Sequence, residues 1–329
     1  MMENSTSTND ITRHLFETYY QSGETSPDDE FVSNHWMEER RLLKAVCDGD
    51  NPPTPSSEFN WGCKWTSLSR RILDPCETLV HLLILPNKAK LARMLWRARG
   101  VVKRMGIDMT FTVFRQVCSL ELILRHLPAE FREKHVNILV IGDGIGALSA
   151  LLKAEFPDST IALVDIGKTL FYQSHHIQKA YPYLRHRMAS DAADPEDTDF
   201  AFFATEHLND LDNYRFDLAM NIASIQEMSS ATIRHYFRFL RTNLNEMNLF
   251  YCFNREQKSL GNGVETEFLR YPWDEKDEYL VDEYCPWPAF FIGRLPTPKR
   301  PRLLGIGIPF VKHYDGKFRH RLAVMNTST

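Results

Sequence analysis

The amino-acid sequence predicts an α/β fold: a Rossmann-like, mostly parallel sheet with a C-terminal antiparallel hairpin, preceded by a helical N-terminal region. Three observations carry this expectation. From residue 136 onward, short apolar runs alternate with segments of helical period, the pattern of βαβ units and a doubly wound sheet. The first run ends in Gly142-Asp143-Gly144-Ile145-Gly146, a glycine-rich strand-to-helix turn. Near the end, Asp315-Gly316 separates two β-rich runs, 303–313 and 317–325, and Asp-Gly in that position marks a tight hairpin.

Taken in order, residues 1–9 read as a polar tail, and 10–21 as a short helix through Ile11, Leu15, Phe16 and Tyr19. Residues 32–46 read as a second amphipathic helix. The stretch 48–59 reads as a linker, because consecutive prolines exclude helix and a central strand. Residues 65–127 are helical in pattern, with a break near Pro86. The chain therefore divides into a helical region, 1–130, and a Rossmann-like domain, 131–329. In the latter, candidate strands are 136–141, 160–165, 200–203, 216–221 and 248–253, and candidate helices are 147–156, 168–180 and 232–244. The strands are apolar throughout, as strands covered on both faces must be.

Composition narrows the class. The 329 residues suffice for one large domain with an accessory part, and 43% hydrophobic with 25% charged residues is ordinary for a soluble protein. A net charge of -4 offers no overall footprint for nucleic acid. The six cysteines (47, 63, 76, 118, 252 and 285) form no C-x-x-C pair and join no histidine cluster, so they read as reduced thiols. The polar start, residues 1–10, lacks the basic and apolar runs of a signal peptide, so none is expected, and no apolar run reaches the length of a membrane span. The expectation is a cytoplasmic protein without nucleic-acid or membrane partners, with the N-terminal helices available to cover the cofactor domain, contact substrate or form a homodimer.

The glycine loop carries the first chemical expectation. Gly142, Gly144 and Gly146 let backbone approach a ligand at a helix N-terminus, and Asp165 ends the next strand about 20 residues on. An acid there accepts hydrogen bonds from ribose hydroxyls. The pattern points to a nucleotide-type cofactor. Both NAD and S-adenosylmethionine use this geometry, and spacing alone does not separate them.

Further along, Asn221-Ile222-Ala223-Ser224-Ile225-Gln226-Glu227-Met228, then Tyr236-Phe237, Phe250-Tyr251-Cys252-Phe253-Asn254-Arg255 with Lys258, and Tyr271-Pro272-Trp273 follow. This set resembles the sugar O-methyltransferase family over about residues 136–325. The resemblance implies a class I methyltransferase fold, whose parallel sheet is closed by an antiparallel hairpin. It also implies S-adenosylmethionine as methyl donor and a sugar-like hydroxyl as acceptor. Asn221 joins the glycine loop, Asp143 and Asp165 as a cofactor-binding candidate. One departure stands out: the family's loop is preceded by an acid, as in "EIG", and here that position is Val140. Asp143 is one replacement for it; weakened cofactor binding or lost activity is the alternative.

Methyl transfer needs an aligned acceptor oxygen and a group to take its proton. Glu227 after the fourth strand and His207 after the third are the candidate bases, although Glu227 also reads as a cap for the helix that follows. Asn254, Arg255 and Lys258 follow the fifth strand as candidate acceptor ligands, or as a solvated loop. Trp273 and Trp287 are candidate sugar platforms, or loop packing. With no acid pair after the fourth strand, no metal is expected. The competing readings are an NAD-dependent oxidoreductase and an inactive, methyltransferase-like binding protein.

Overall fold

The computed structural model describes residues 9–21, 43–47, 53–56, 64, 68–188, 198–212, 214–259, 265–287, 290–292, 302–303, 306–307, 311–313 and 317–327. An eight-stranded sheet forms its centre. Numbering only the strands of this sheet, β1 is Val136–Ile141, β2 Ser159–Asp165, β3 His186–Met188, β4 Phe200–Ala204, β5 Phe216–Ile222, β6 Leu244–Arg255, β7 Glu278–Tyr284 and β8 Phe318–Val324. They lie in the order β7-β8-β6-β5-β1-β2-β4-β3. The six strands from β6 to β3 pair in parallel. β8 pairs antiparallel with both β6 and β7, so it alone is reversed in this sheet.

The expected Rossmann-like sheet with antiparallel closure is present, but the closing pair is made from different residues. The sequence places run 303–313 opposite β8, whereas the seven-residue β7 takes that position. Val311–His313 pairs instead with Phe290–Ile292. The reason is length and burial. β8 is an interior strand with Leu322 and Ala323 fully buried, and it needs a long neighbour on each side. A local Asp-Gly signal cannot report that; the turn at 314–316 itself lies outside the described residues. Strand β3 has no counterpart in the sequence reading, because His-Arg-Met carries no apolar run.

Seven α-helices are used below: α1 Asn9–Phe16, α2 Leu68–Ile84, α3 Lys88–Met105, α4 Phe111–His126, α5 Ala147–Glu155, α6 Gly167–Ala180 and α7 Ser230–Asn243. Strand residues alternate between two covered faces, as the pleat requires. Ile138, Val140, Ile161 and Leu163 pack with Leu95, Val102, Val113, Phe114, Leu152 and Leu170 of α3 to α6. Leu139, Ile141, Ala162 and Val164 pack on the other face with Ile233, Tyr236, Phe237 and Leu240 of α7. The N-terminal helices thus share one apolar core with the sheet. Each fully buried apolar side chain there contributes roughly 1.5–3 kcal/mol.

Two N-terminal expectations change. Ala45–Val46 and Thr54–Pro55 form an antiparallel pair, so helix 32–46 does not extend to its predicted end and linker 48–59 is interrupted by a strand. Proline is admitted there because a two-stranded ribbon is all edge, where a missing N–H costs no ladder bond. The Tyr172 hydroxyl donates to the Lys44 carbonyl at 2.7 Å and ties this ribbon to α6. The remainder of both stretches, and the tail 1–8, lie outside the described residues. Among the described residues, no helix is long and apolar enough to cross a membrane.

Candidate active site

β2 and β5 flank β1 on opposite sides, so the chain leaves β1 at the point where strand order reverses. Ligands of open α/β sheets bind in the crevice beyond the strand ends at such a point. A cleft lies there, walled by the glycine loop, by Asp165 to Thr169, by residues 222–228, and by Thr112, Arg115 and Gln116 of α4.

The first wall is the turn from β1 into α5. Gly142, Gly144 and Gly146 have φ of +71°, +66° and +84°. At Gly142 a Cβ would stand 2.1 Å from Ser224 Oγ, so both backbone conformation and close approach require glycine. Asp143, 7% exposed, accepts from the backbone N–H groups of Leu148 at 3.0 Å and Ser149 at 2.7 Å. It therefore satisfies the first turn of α5. Burial raises its carboxyl to about 6 against those hydrogen bonds. Asp165 accepts from Ile166 N–H at 2.8 Å and from the Gln173 amide at 2.6 Å. Burial raises it to about 7, and the nearby Asp143 charge adds to the rise.

The facing wall begins where β5 ends. Ala223, at φ +62°, turns the chain into a short 3-10 helix, Ile225–Glu227. A buried amide network fixes this turn. Asn221 donates to the Ile141 carbonyl at 2.8 Å and to Ser224 Oγ, while its own oxygen accepts from Ile225 N–H at 3.3 Å and from Asn254 at 2.9 Å. Asn254 accepts from Gln226 N–H at 3.1 Å, and Gln226 accepts from Arg255 N–H at 2.7 Å. Strands β1, β5 and β6 are thereby locked beneath Glu227. The Glu227 side chain lines the cleft and is ion-paired with Lys258.

The predicted site residues thus divide. Gly142, Asp143, Gly144, Asp165 and Glu227 line the cleft, Gly146 opens α5 behind it, and Lys258 reaches it through Glu227. Asn221 and Asn254 are fully buried under its floor and hold the turn; they are placed to touch protein, not ligand. The helix cap at α7 is Ser229, which accepts from Thr232 N–H at 3.1 Å, so Glu227 does not serve there. His207 is exposed and faces Asp210 at 3.2 Å, outside the cleft lining. The Arg255 guanidinium lies 5.4 Å over the Phe318 ring.

Trp273 packs on the α7 side of the sheet, 4.9 Å from Phe237, under the Arg321 guanidinium at 4.5 Å, with its indole N–H on the Phe268 carbonyl at 3.0 Å. Trp287 is 3% exposed beside His320. Both rings are packed against protein partners; the Trp273 donor is also satisfied, whereas the buried Trp287 indole N–H has no hydrogen-bond partner among the described residues. Val140, at the position of the expected acid, is 1% exposed inside the core.

Sequence reasoning missed the α4 wall. Arg115 Nε, Gln116 Oε1 and, across the cleft, Thr169 Oγ1 are buried without a hydrogen-bond partner. Buried polar atoms are normally satisfied, so these three point to a polar ligand or water in the cleft. The one signal available was the adjacent polar pair Arg115-Gln116 in the N-terminal half of a largely apolar helix. Nothing local in the sequence marks Ser224 as the neighbour of Gly142; only the tertiary fold brings the two together.

No protein-family model matches this chain, and no curated protein matches it. Solved structures do. A protein of echinomycin biosynthesis, from work on converting a disulfide bond into a thioacetal group, is 12% identical over 64% of this chain and 82% of that one, with a TM-score of 0.38. A candidate methyltransferase from Thermoplasma acidophilum is 8% identical over 59% of this chain and 70% of that one, with a TM-score of 0.35. PKMT2 from Rickettsia typhi, solved in complex with AdoHcy, is 21% identical over 36% of this chain and 20% of that one, with a TM-score of 0.27. Likenesses of this extent assign neither family nor reaction.

Proposed function

We propose that this protein is an S-adenosylmethionine-dependent methyltransferase that transfers the methyl group to a hydroxyl of a small molecule, with a sugar or glycosylated metabolite as the acceptor class. The observation that carries this reading is the pairing of two walls across one cleft: a glycine loop with a ribose-type acid, Asp165, on one side, and Glu227 on the other. The unsatisfied polar atoms of Arg115, Gln116 and Thr169 fit a cofactor with polar groups at both ends. The reversed strand β8 next to the sheet edge favours this cofactor over a dinucleotide.

When bound, S-adenosylmethionine supplies an activated methyl group on a sulfonium. The residues of this chain do the rest. The backbone of 142–146 would hold the cofactor, and Asp165 would accept from its ribose hydroxyls. Asp143 keeps the loop and α5 in register. Glu227 takes the proton of the attacking hydroxyl, and Lys258 positions it. α4 walls the cleft with Thr112, Arg115 and Gln116.

Calorimetry with S-adenosylhomocysteine and with NADH tests the cofactor assignment. Saturable binding of the former alone supports it. No saturable binding, or binding of NADH in its place, ends it. O-methylation is then read from the methylated atom in the product of the first acceptor found to turn over.

A further inference from the structure

The protein is net negative, yet α3 is strongly basic: its 18 residues contain seven Lys or Arg and no Asp or Glu. Three of these cations are used by the fold. Lys90 faces Glu121 at 3.7 Å, Arg97 faces Glu155 at 3.1 Å, and Arg104 donates to the Ala180 carbonyl at 3.2 Å. Lys88, Arg93, Arg99 and Lys103 are exposed and have no ion pair among the described residues. In their midst Trp96 is 76% exposed. Most of a large, amphipathic ring is therefore left in water, available to a partner.

The arrangement around the helix axis says more than the count. At about 100° per residue, Trp96 falls at the centre of the exposed arc, with the small residues Ala89, Ala92 and Gly100 around it. Arg93, Arg97 and Arg104 follow one flank; Lys88, Arg99 and Lys103 lie toward the other. The opposite side of the helix, including Leu91, Leu95, Ala98 and Val102, is buried in the protein core. A ring that projects from a bed of small side chains, with the unpaired Arg93 on one flank and Lys88, Arg99 and Lys103 on the other, matches a planar anionic surface with an apolar layer beneath it. The ring enters the interfacial layer while the cations reach headgroup phosphates. A stacked nucleic-acid base would instead call for a second ring or a groove wall beside Trp96, and the shallow depression there is lined by Lys90, Ala92, Arg93 and Arg97.

We infer that the exposed face of α3 docks the protein onto an anionic phospholipid surface. No helix among the described residues spans a membrane, so the contact is peripheral. The test is co-sedimentation of the full chain with vesicles of phosphatidylcholine alone and of equal parts phosphatidylcholine and phosphatidylglycerol. Binding to the anionic vesicles only, weakened by salt, is the expected result. Each exposed cation contributes roughly a factor of five in partitioning, so Arg93→Ser/Arg99→Ser/Lys103→Ser lowers it on the order of 100-fold. Trp96→Ser lowers it several-fold, and Trp96→Phe retains most of it. Circular dichroism and thermal unfolding of each variant exclude misfolding as the cause.

Equal binding to neutral vesicles, binding to neither, or anionic binding that survives the triple substitution overturns the proposal. So does binding of single-stranded RNA that the same substitutions abolish while anionic vesicles are ignored.

Discussion

On one wall of the cleft, Asp143 and Asp165 have their oxygens committed to backbone N–H groups and an amide, at distances from 2.6 to 3.0 Å. On the facing wall, Glu227 is held by a side-chain cation from a neighbouring strand, while the rigidity sits one layer below in Asn221, Asn254 and Gln226. Carboxylates tied to backbone are fixed parts of a binding floor. A carboxylate tied to a side chain above a rigid turn is positioned through a partner that can itself move. Under the proposed function the first is a binding wall and the second a reacting wall, and substitutions on each should fail in different ways.

The largest expected effect lies on the reacting wall. Glu227→Gln should lower kcat by about 10²–10⁴-fold and leave the affinity for S-adenosylhomocysteine nearly unchanged. Steady-state kinetics beside calorimetry reads both; equal losses in the two would make Glu227 a cofactor ligand instead. On the binding wall, Gly142→Ala should cost folding stability. Strain at φ +71° and a Cβ 2.1 Å from Ser224 Oγ together amount to about 3 kcal/mol or more. Gly106, at φ +74° with nothing within 4 Å of an added Cβ, is the control, and Gly106→Ala should cost only about 1 kcal/mol in denaturant unfolding. Similar costs at the two sites would remove the close-approach argument.

Asp165 offers a pH test. Its carboxyl is raised to about 7, so the folded chain holds this proton more tightly than an unfolded chain at 3.8. That contribution to stability is complete below 3.8 and is lost as pH rises through about 7. A ribose prefers the ionised acceptor, so affinity for S-adenosylhomocysteine should rise with pH and level off above about 7. Asp165→Asn should flatten that profile and weaken binding on the order of tenfold at high pH. A profile unchanged in the variant would take Asp165 out of the cofactor site. The smallest effect is expected beyond the reacting wall: Ser229→Ala removes the α7 cap and should cost about 1 kcal/mol in thermal unfolding with kcat preserved. A large kcat loss there would mean that the turn under Glu227 depends on the cap.

The two walls also differed in how far the sequence revealed them. The glycine loop and Asp165 could be placed because their signal is local: a strand, three glycines, a helix, then a strand ending in an acid. Glu227 was found through a family-like stretch, and the same stretch made Asn221 and Asn254 look like ligands. Both are polar groups near strand ends, and only the tertiary fold reveals that they bond each other. Trp273 and His207 misled for a related reason: position after a strand does not say which way a side chain points. The closing pair of the sheet was misassigned because a turn dipeptide is local, while the partner of an interior strand is chosen by length and burial. The α4 wall left almost no trace, since the meeting of Arg115 and Gln116 with the glycine loop at one cleft has no periodicity to betray it.

The most direct measurement is a crystal structure of the protein with S-adenosylhomocysteine. The ribose hydroxyls are expected on Asp165, the backbone of 142–146 against the ligand, and the sulfur facing the wall that carries Glu227. A ligand seated outside this cleft, or one within it that leaves Asp165 untouched and turns its sulfur away from Glu227, would contradict the two-wall account.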